Sequence, residues 1–76
     1  GRVAEALIMG LRLAEGVDAA RFRAETGADL KDALDHRAVA RLAQAGLVVY
    51  DERGLTASPA GRLVLDGVLR EIVAQD

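Results

Sequence analysis

The apolar residues at the start of the chain recur at every fourth position. They are Val3, Leu7 and Leu11. This spacing is that of one face of an α-helix, and it predicts a helix over residues 3–14. Gly16 followed by Val17 is the order expected for a left-handed helix cap closed by a hydrophobic contact. We therefore expect the first helix to end before Gly16, with Leu13 buried and Arg12 projecting outward.

A short second helix is predicted directly after this cap. Asp18 is a suitable N-cap for a helix over residues 19–25, and Gly27 provides its end. Phe22, the only phenylalanine, is the expected core anchor. The other side chains expected to face inward are Ala20 and Ala24.

A third helical segment opens near Asp29 and runs to Gly46. Asp35 lies inside it and is a second possible N-cap, so residues 29–45 form either one helix or two. After Asp35 the helical pattern continues through Val39, Leu42 and Ala43 to Gly46.

The period of the apolar pattern changes after Gly46. A glycine at this position permits an abrupt turn from helix to strand. Residues 47–50 form a β-branched apolar run, residues 51–54 resemble a turn, and residues 55–57 can return as a second strand. The sequence therefore predicts a two-stranded hairpin, or wing, that needs helices to pack against.

The last helix is predicted to begin at Ser58 and Pro59, a capping hydroxyl before a proline at the first helical position. It should run to about Ala74. Gly61 in its first turn is expected to leave room for a neighbouring backbone. The predicted apolar face consists of Val64, Leu65, Val68, Leu69, Ile72 and Val73.

The whole pattern predicts one mostly helical, winged-helix-like domain over residues 1–76, with about four or five helices and a two-stranded wing. Of the 76 residues, 51% are hydrophobic but only 3% aromatic, which favours packed helices filled by Leu, Val, Ile and Ala. The chain starts Gly1-Arg2-Val3 without methionine, so we expect a piece of a longer polypeptide. No apolar run is long enough for a membrane span and no signal peptide is recognisable, so a cytoplasmic location is expected.

Three blocks of the sequence, in this order, resemble a known family. They are Met9-Gly10-Leu11-Arg12-Leu13 with Gly16-Val17, then Leu42-Ala43-Gln44-Ala45-Gly46-Leu47-Val48, then Ser58-Pro59-Ala60-Gly61-Arg62-Leu63-Val64-Leu65-Asp66. Together they resemble the C-terminal domain of the radical-SAM oxygen-independent coproporphyrinogen III oxidases, most closely that of the HemW haem-chaperone branch. The similarity spans nearly the whole chain, and its specificity lies in the combination of blocks.

The resemblance implies an accessory domain that packs beside a radical-SAM barrel of the same polypeptide and helps to frame the porphyrin or haem side. It implies that the parent protein carries a 4Fe-4S cluster, S-adenosylmethionine and, in the chaperone branch, haem. The chain has no cysteine, which excludes a thiolate-bound cluster within these residues. The expected interdomain contacts are Arg12, Leu13, Val17, Leu47 and Tyr50. Oxidase and chaperone branches stay open.

Few side chains suggest chemistry on this chain itself. His36, the only histidine, is a candidate haem ligand, but its position at a helix start favours a solvated or capping residue. Met9 is a candidate axial ligand, for which core packing is favoured. The carboxylate pairs Asp32/Asp35 and Asp51/Glu52 lack an acid–base partner, so no catalytic site is predicted here.

The alternative function is that of a stand-alone winged-helix module that binds DNA or protein. The helix before the wing would carry the DNA contacts, with Arg37 and Arg41 on one face. The arginines that raise this hypothesis are Arg21, Arg23, Arg37, Arg41, Arg53 and Arg62. However, the formal charge is −2, and acidic residues both precede this helix and occupy the wing tip. These charges disfavour phosphate binding.

Overall fold

A computed structural model describes residues 2–73 and confirms the mostly helical fold with a small antiparallel sheet. The helices are α1 (Arg2–Arg12), α2 (Ala19–Thr26), α3 (Leu30–Ala33), α4 (His36–Gln44), α5 (Pro59–Leu63) and α6 (Leu65–Ile72). The strands are β1 (Val17–Asp18), β2 (Val48–Asp51) and β3 (Gly54–Ala57). Residues 2–73 thus contain six helices and three strands, one strand and one or two helices more than the sequence predicted.

The additional strand is β1, which turns the predicted hairpin into a three-stranded sheet. The strand order is β1-β3-β2, and β1 pairs antiparallel with β3 through Val17 with Leu55 and Asp18 with Gly54. The amide of Ala19 then donates to the carbonyl of Arg53 at 2.8 Å. A two-residue strand is too short to show the alternation that identifies strands in a sequence.

The predicted caps are present, and residues 29–45 form two helices. Asp18 accepts a hydrogen bond from the Arg21 amide at 2.9 Å, and Asp35 accepts hydrogen bonds from the amides of Arg37 and Ala38 in the first turn of α4. Between α3 and α4, Leu34 is extended and buried. The amide of Asp35 donates to the carbonyl of Ile72 at 2.8 Å, which ties this break to α6.

The predicted single C-terminal helix is divided at Val64, whose φ and ψ of −121° and 35° are not helical. Ser58 caps α5 as predicted, by accepting from the Gly61 amide at 3.0 Å. Val64 is 51% exposed and does not belong to the apolar face, whereas Val68 and Ile72 are buried. The division allows α5 to lie on β3 while α6 packs against α1 and α4. The predicted end at Ala74 lies outside the described residues.

One hydrophobic core lies between the helices and the inner face of the sheet. Its most completely buried large side chains are Phe22, Leu7, Leu11, Leu55, Ile72 and Val68. Met9 and Leu13, in contrast, are exposed, so their predicted core packing is wrong. Met9 follows buried Leu7 by two residues, and two residues turn a helix by about 200°, to its opposite side. Leu13 lies just past the end of α1, in the turn that leads to Gly16. Two alanines predicted to face inward are also exposed, namely Ala20 and Ala24.

Candidate interdomain docking groove

A groove of about 490 Å³ runs between α1 and α2, and we call it the α1–α2 groove. Its first wall is formed by Arg2, Glu5, Ala6, Met9, Gly10 and Leu13. Its second wall is formed by Arg21, Phe22, Glu25 and Thr26, and the segment 15–18 completes the lining. The walls are stripes of residues three or four apart, which is the spacing that places side chains on one face of a helix.

The groove is apolar along its floor and at one wall. Val17 and Phe22, which are 6% and 2% exposed, belong to the core and form the floor. Met9 and Leu13, which are 69% and 52% exposed, stand on the α1 wall. Gly10 lets β1 approach, because a Cβ at this position would lie 2.5 Å from Cγ2 of Val17. Two large apolar side chains thus face solvent beside a continuous apolar floor.

The charged side chains of the groove are predominantly acidic. The carboxylates are those of Glu5, Glu15, Asp18 and Glu25, and the two basic groups are those of Arg2 and Arg21. Arg21 forms a salt bridge with Glu25 at 3.9 Å along α2. Four of the twelve acidic and two of the ten basic residues line the groove, which leaves eight of each elsewhere. The entire net charge of −2 therefore resides in the groove lining.

The structure brings together two of the five predicted interdomain residues. Leu13 lies on the α1 wall of the groove and Val17 forms its floor, where little of Val17 is available to a partner. Arg12 is exposed at the end of α1. Leu47, directly before β2, and Tyr50, within β2, are half-buried, and neither lines this groove. The docking role of all five stays a prediction. Sequence reasoning missed Met9, although its offset from Leu7 would have placed it opposite the core.

His36 is exposed at the start of α4, as a solvated residue would be. Its Nε2 lies 2.6 Å from the carbonyl oxygen of Lys31, so this nitrogen donates to the backbone. Its ring centroid is 5.9 Å from that of Tyr50. Among residues 2–73, no group of three acidic, histidine or cysteine side chains is arranged to hold a metal ion.

Two of the four carboxylates considered for acid–base chemistry accept hydrogen bonds from nearby backbone amides. Asp35 caps α4, and Asp51 accepts hydrogen bonds from the amides of Arg53 and Gly54 at 2.9 and 3.3 Å, which closes the hairpin turn. An aspartate side chain that accepts a hydrogen bond from the amide two residues further along is typical of an Asx turn. Both residues therefore have a role in forming the fold.

Most of the arginines that suggested DNA binding are engaged within the domain. Arg41 on α4 forms a salt bridge with Glu71 at 2.8 Å, and Arg23 pairs with Asp29. Arg62 donates to the carbonyl of Ala57 at 3.0 Å. The helix before the wing therefore presents Arg37 beside an arginine that is already neutralised, which is a weak phosphate-binding surface.

None of the helices between residues 2 and 73 combines the length and the apolar character that crossing a membrane requires.

Comparison with known proteins gives one positive result. No curated protein and no solved structure matches the chain. The family model described as the HemN C-terminal domain matches residues 2–64, which includes every element from α1 to α5 and the whole α1–α2 groove. A match over most of the chain, on the same blocks of sequence that carry the resemblance, means that this chain belongs to the HemN C-terminal domain family.

Proposed function

We propose that this chain is the non-catalytic C-terminal accessory domain of an oxygen-independent coproporphyrinogen III oxidase-like radical-SAM protein, of the HemW haem-chaperone branch. It packs beside the radical-SAM barrel of the same polypeptide, in the cytoplasm, and frames the side of the barrel where porphyrin or haem binds. The family match over residues 2–64 supports the assignment as a C-terminal domain of a HemN-like protein. The haem-chaperone branch rests on the resemblance of the three sequence blocks.

The chemistry of the parent protein resides outside this chain. A 4Fe-4S cluster is held by cysteine thiolates, and the chain contains none, so the cluster and S-adenosylmethionine belong to the barrel. The carboxylates near the hairpin and α4 form caps and turns. The contribution of the domain is therefore shape and contact surface.

The α1–α2 groove is the docking face in this proposal. Exposed Met9 lies on α1 and exposed Leu13 directly follows it, and a partner that covers both removes apolar surface from water without unfolding any element of the domain. Large exposed apolar side chains that share a surface with an apolar floor are typical of protein interfaces.

The branch assignment is tested on the full-length protein that contains this chain. We expect a Cys-x3-Cys-x2-Cys motif upstream, haem binding in a spectroscopic titration, and no conversion of coproporphyrinogen III in the presence of S-adenosylmethionine and a reductant. Conversion at a catalytic rate would place the protein in the oxidase branch instead. Absence of the cysteine motif would contradict the radical-SAM assignment altogether.

The docking face is tested by producing the barrel portion and this chain separately and measuring their association. We expect Leu13→Asp to weaken the association at least about tenfold, because a charge then replaces an apolar side chain at the buried centre of the interface. Leu63→Asp is the matched control, since Leu63 is 87% exposed and lies outside the groove, and it should leave the association unchanged. Equal effects of the two variants would exclude the groove as the docking face.

A further inference from the structure

The shape of the α1–α2 groove fits an elongated partner better than a small molecule. Sites for small ligands bury roughly 70–90% of the ligand between their walls. Here the α1 wall is open, because Met9 and Leu13 are more than half exposed. Helix α1 has 11 residues and is therefore about 16 Å long. An open trough of this length between two helices has the shape that receives one further helix.

The side chains that line the α1–α2 groove indicate which face of the partner helix would enter it. Val17 and Phe22 on the floor and Leu13 on the wall require apolar residues spaced three or four apart on the entering helix. Met9 adds an unbranched, polarisable side chain that can adjust to whichever apolar residue it meets. The entering face is thus a stripe of leucine-like side chains.

The charged side chains of the α1–α2 groove indicate which residues should flank the apolar stripe of the partner helix. The net negative charge of the chain is confined to the groove lining, with Glu5 and Glu15 on exposed positions of the α1 side. Carboxylates around an apolar floor attract lysine and arginine at the edges of an apolar stripe and repel acidic residues there. The same carboxylates disfavour an anionic membrane surface or a nucleic acid as the occupant.

We propose that the α1–α2 groove receives a basic amphipathic helix supplied by the neighbouring domain of the same polypeptide. This inference rests on the proposed function for the source of the helix, and on the groove itself for its chemistry. The helix lies along α1, covers exposed Met9 and Leu13 with its apolar stripe above the buried Val17 and Phe22, and directs its lysine and arginine side chains to the carboxylate rim.

The chemistry is tested with two designed 18-residue peptides and this chain. Both carry the same leucine stripe at helical spacing, and the stripe is flanked by lysines in one peptide and by glutamates in the other. We expect the lysine peptide to bind at least about tenfold more tightly at low salt, with the difference shrinking as salt screens the charges. Amide shifts in NMR spectra should locate the site at α1 and α2. Equal affinity of both peptides, absence of binding, or shifts centred elsewhere would overturn the proposal.

Variants separate the apolar and the charged parts of the site. Met9→Ala and Leu13→Ala should each weaken binding of the lysine peptide several-fold, while the control Leu63→Ala should not. The double variant Glu5→Gln/Glu15→Gln should reduce the preference for the lysine peptide and leave binding of the glutamate peptide unchanged or improved. Circular dichroism checks that every variant keeps its helix content. A double variant with undiminished charge preference would contradict the role of the carboxylates.

The source of the helix is tested on the full-length protein. If its own neighbouring domain fills the groove, the lysine peptide should fail to bind the full-length protein, and amides of α1 and α2 should exchange more slowly there than in the isolated chain. Undiminished peptide binding to the full-length protein would show that the groove is free and overturn the intramolecular source. This result is independent of the cysteine motif and haem titration that test the proposed function.

Discussion

Replacing Gly54 by alanine should remove about 4 kcal/mol of stability, because a Cβ at this position has no space. Gly54 is the point where β3 pairs with both Asp18 of β1 and Asp51 of β2. A Cβ added there would lie 1.8 Å from the carbonyl oxygen of Val17, and the φ of +152° is one that L side chains rarely adopt. A domain of this size has a total stability of roughly 4–11 kcal/mol, so the variant should be largely unfolded on mild heating.

The measurement is urea or thermal unfolding followed by circular dichroism, with Gly27→Ala as the control. Gly27 ends α2 with a φ of +77°, but a Cβ there meets nothing within 4 Å. This control should cost only about 1 kcal/mol, for the left-handed backbone alone. If Gly54→Ala costs no more than Gly27→Ala, the close approach of β1 to β3 is wrong.

Replacing Gly61 by alanine should cost about 3 kcal/mol, although alanine is the better helix former. Gly61 lies in α5 and is buried, and a Cβ there would lie 2.0 Å from the carbonyl oxygen of Leu47. That oxygen also accepts the Ser58 amide at 2.9 Å, so it cannot move away without loss of a hydrogen bond at the start of α5. We expect α5 to detach from the hairpin.

Gly67→Ala is the matched control for Gly61→Ala, and its effect should have the opposite sign. Gly67 lies in α6 with nothing within 4 Å of an added Cβ, so alanine should stabilise the domain by about 1 kcal/mol through helix propensity. In thermal unfolding a change of this size should raise Tm by roughly 4–8 °C. A Gly61→Ala variant that is as stable as the unaltered chain, or more stable, would contradict the packing of α5 on Leu47.

The Gly54 variant also connects stability to the proposed docking groove. Displacing β1 moves Val17, which forms part of the groove floor. If enough Gly54→Ala protein stays folded, its affinity for the lysine peptide should be lower than the unaltered chain's by more than the loss of folded protein, measured as helix content, explains. Gly67→Ala leaves the groove untouched and should bind the peptide like the unaltered chain.

Local signals in the sequence were sufficient for the caps and turns of this domain. Asp18, Asp35 and Ser58 were each predicted as N-caps, and each accepts amide hydrogen bonds at the start of its helix. Gly16, Gly27 and Gly46 were predicted as turn or cap positions, and their φ values are +74°, +77° and +78°. These features depend on atoms within a few residues of one another, so a short stretch of sequence contains all the physics that decides them. The space left by Gly61 was expected for the same local reason, a glycine inside a helix.

Contacts between residues distant in sequence decided the features of the fold that the local signals did not predict. The two residues of β1 form a strand only because Leu55 and Gly54 of β3, far along the chain, supply hydrogen-bonding groups for them. The helical pattern continues through Val64, yet the chain bends there because α5 is held on the hairpin and α6 on α1 and α4. The sequence by itself thus determined the family, the caps and the order of most elements. The offset of Met9 from Leu7 already placed Met9 opposite the core. The groove beside it was decided only when α2 and β1 packed next to α1, because burial depends on which neighbours arrive on each side.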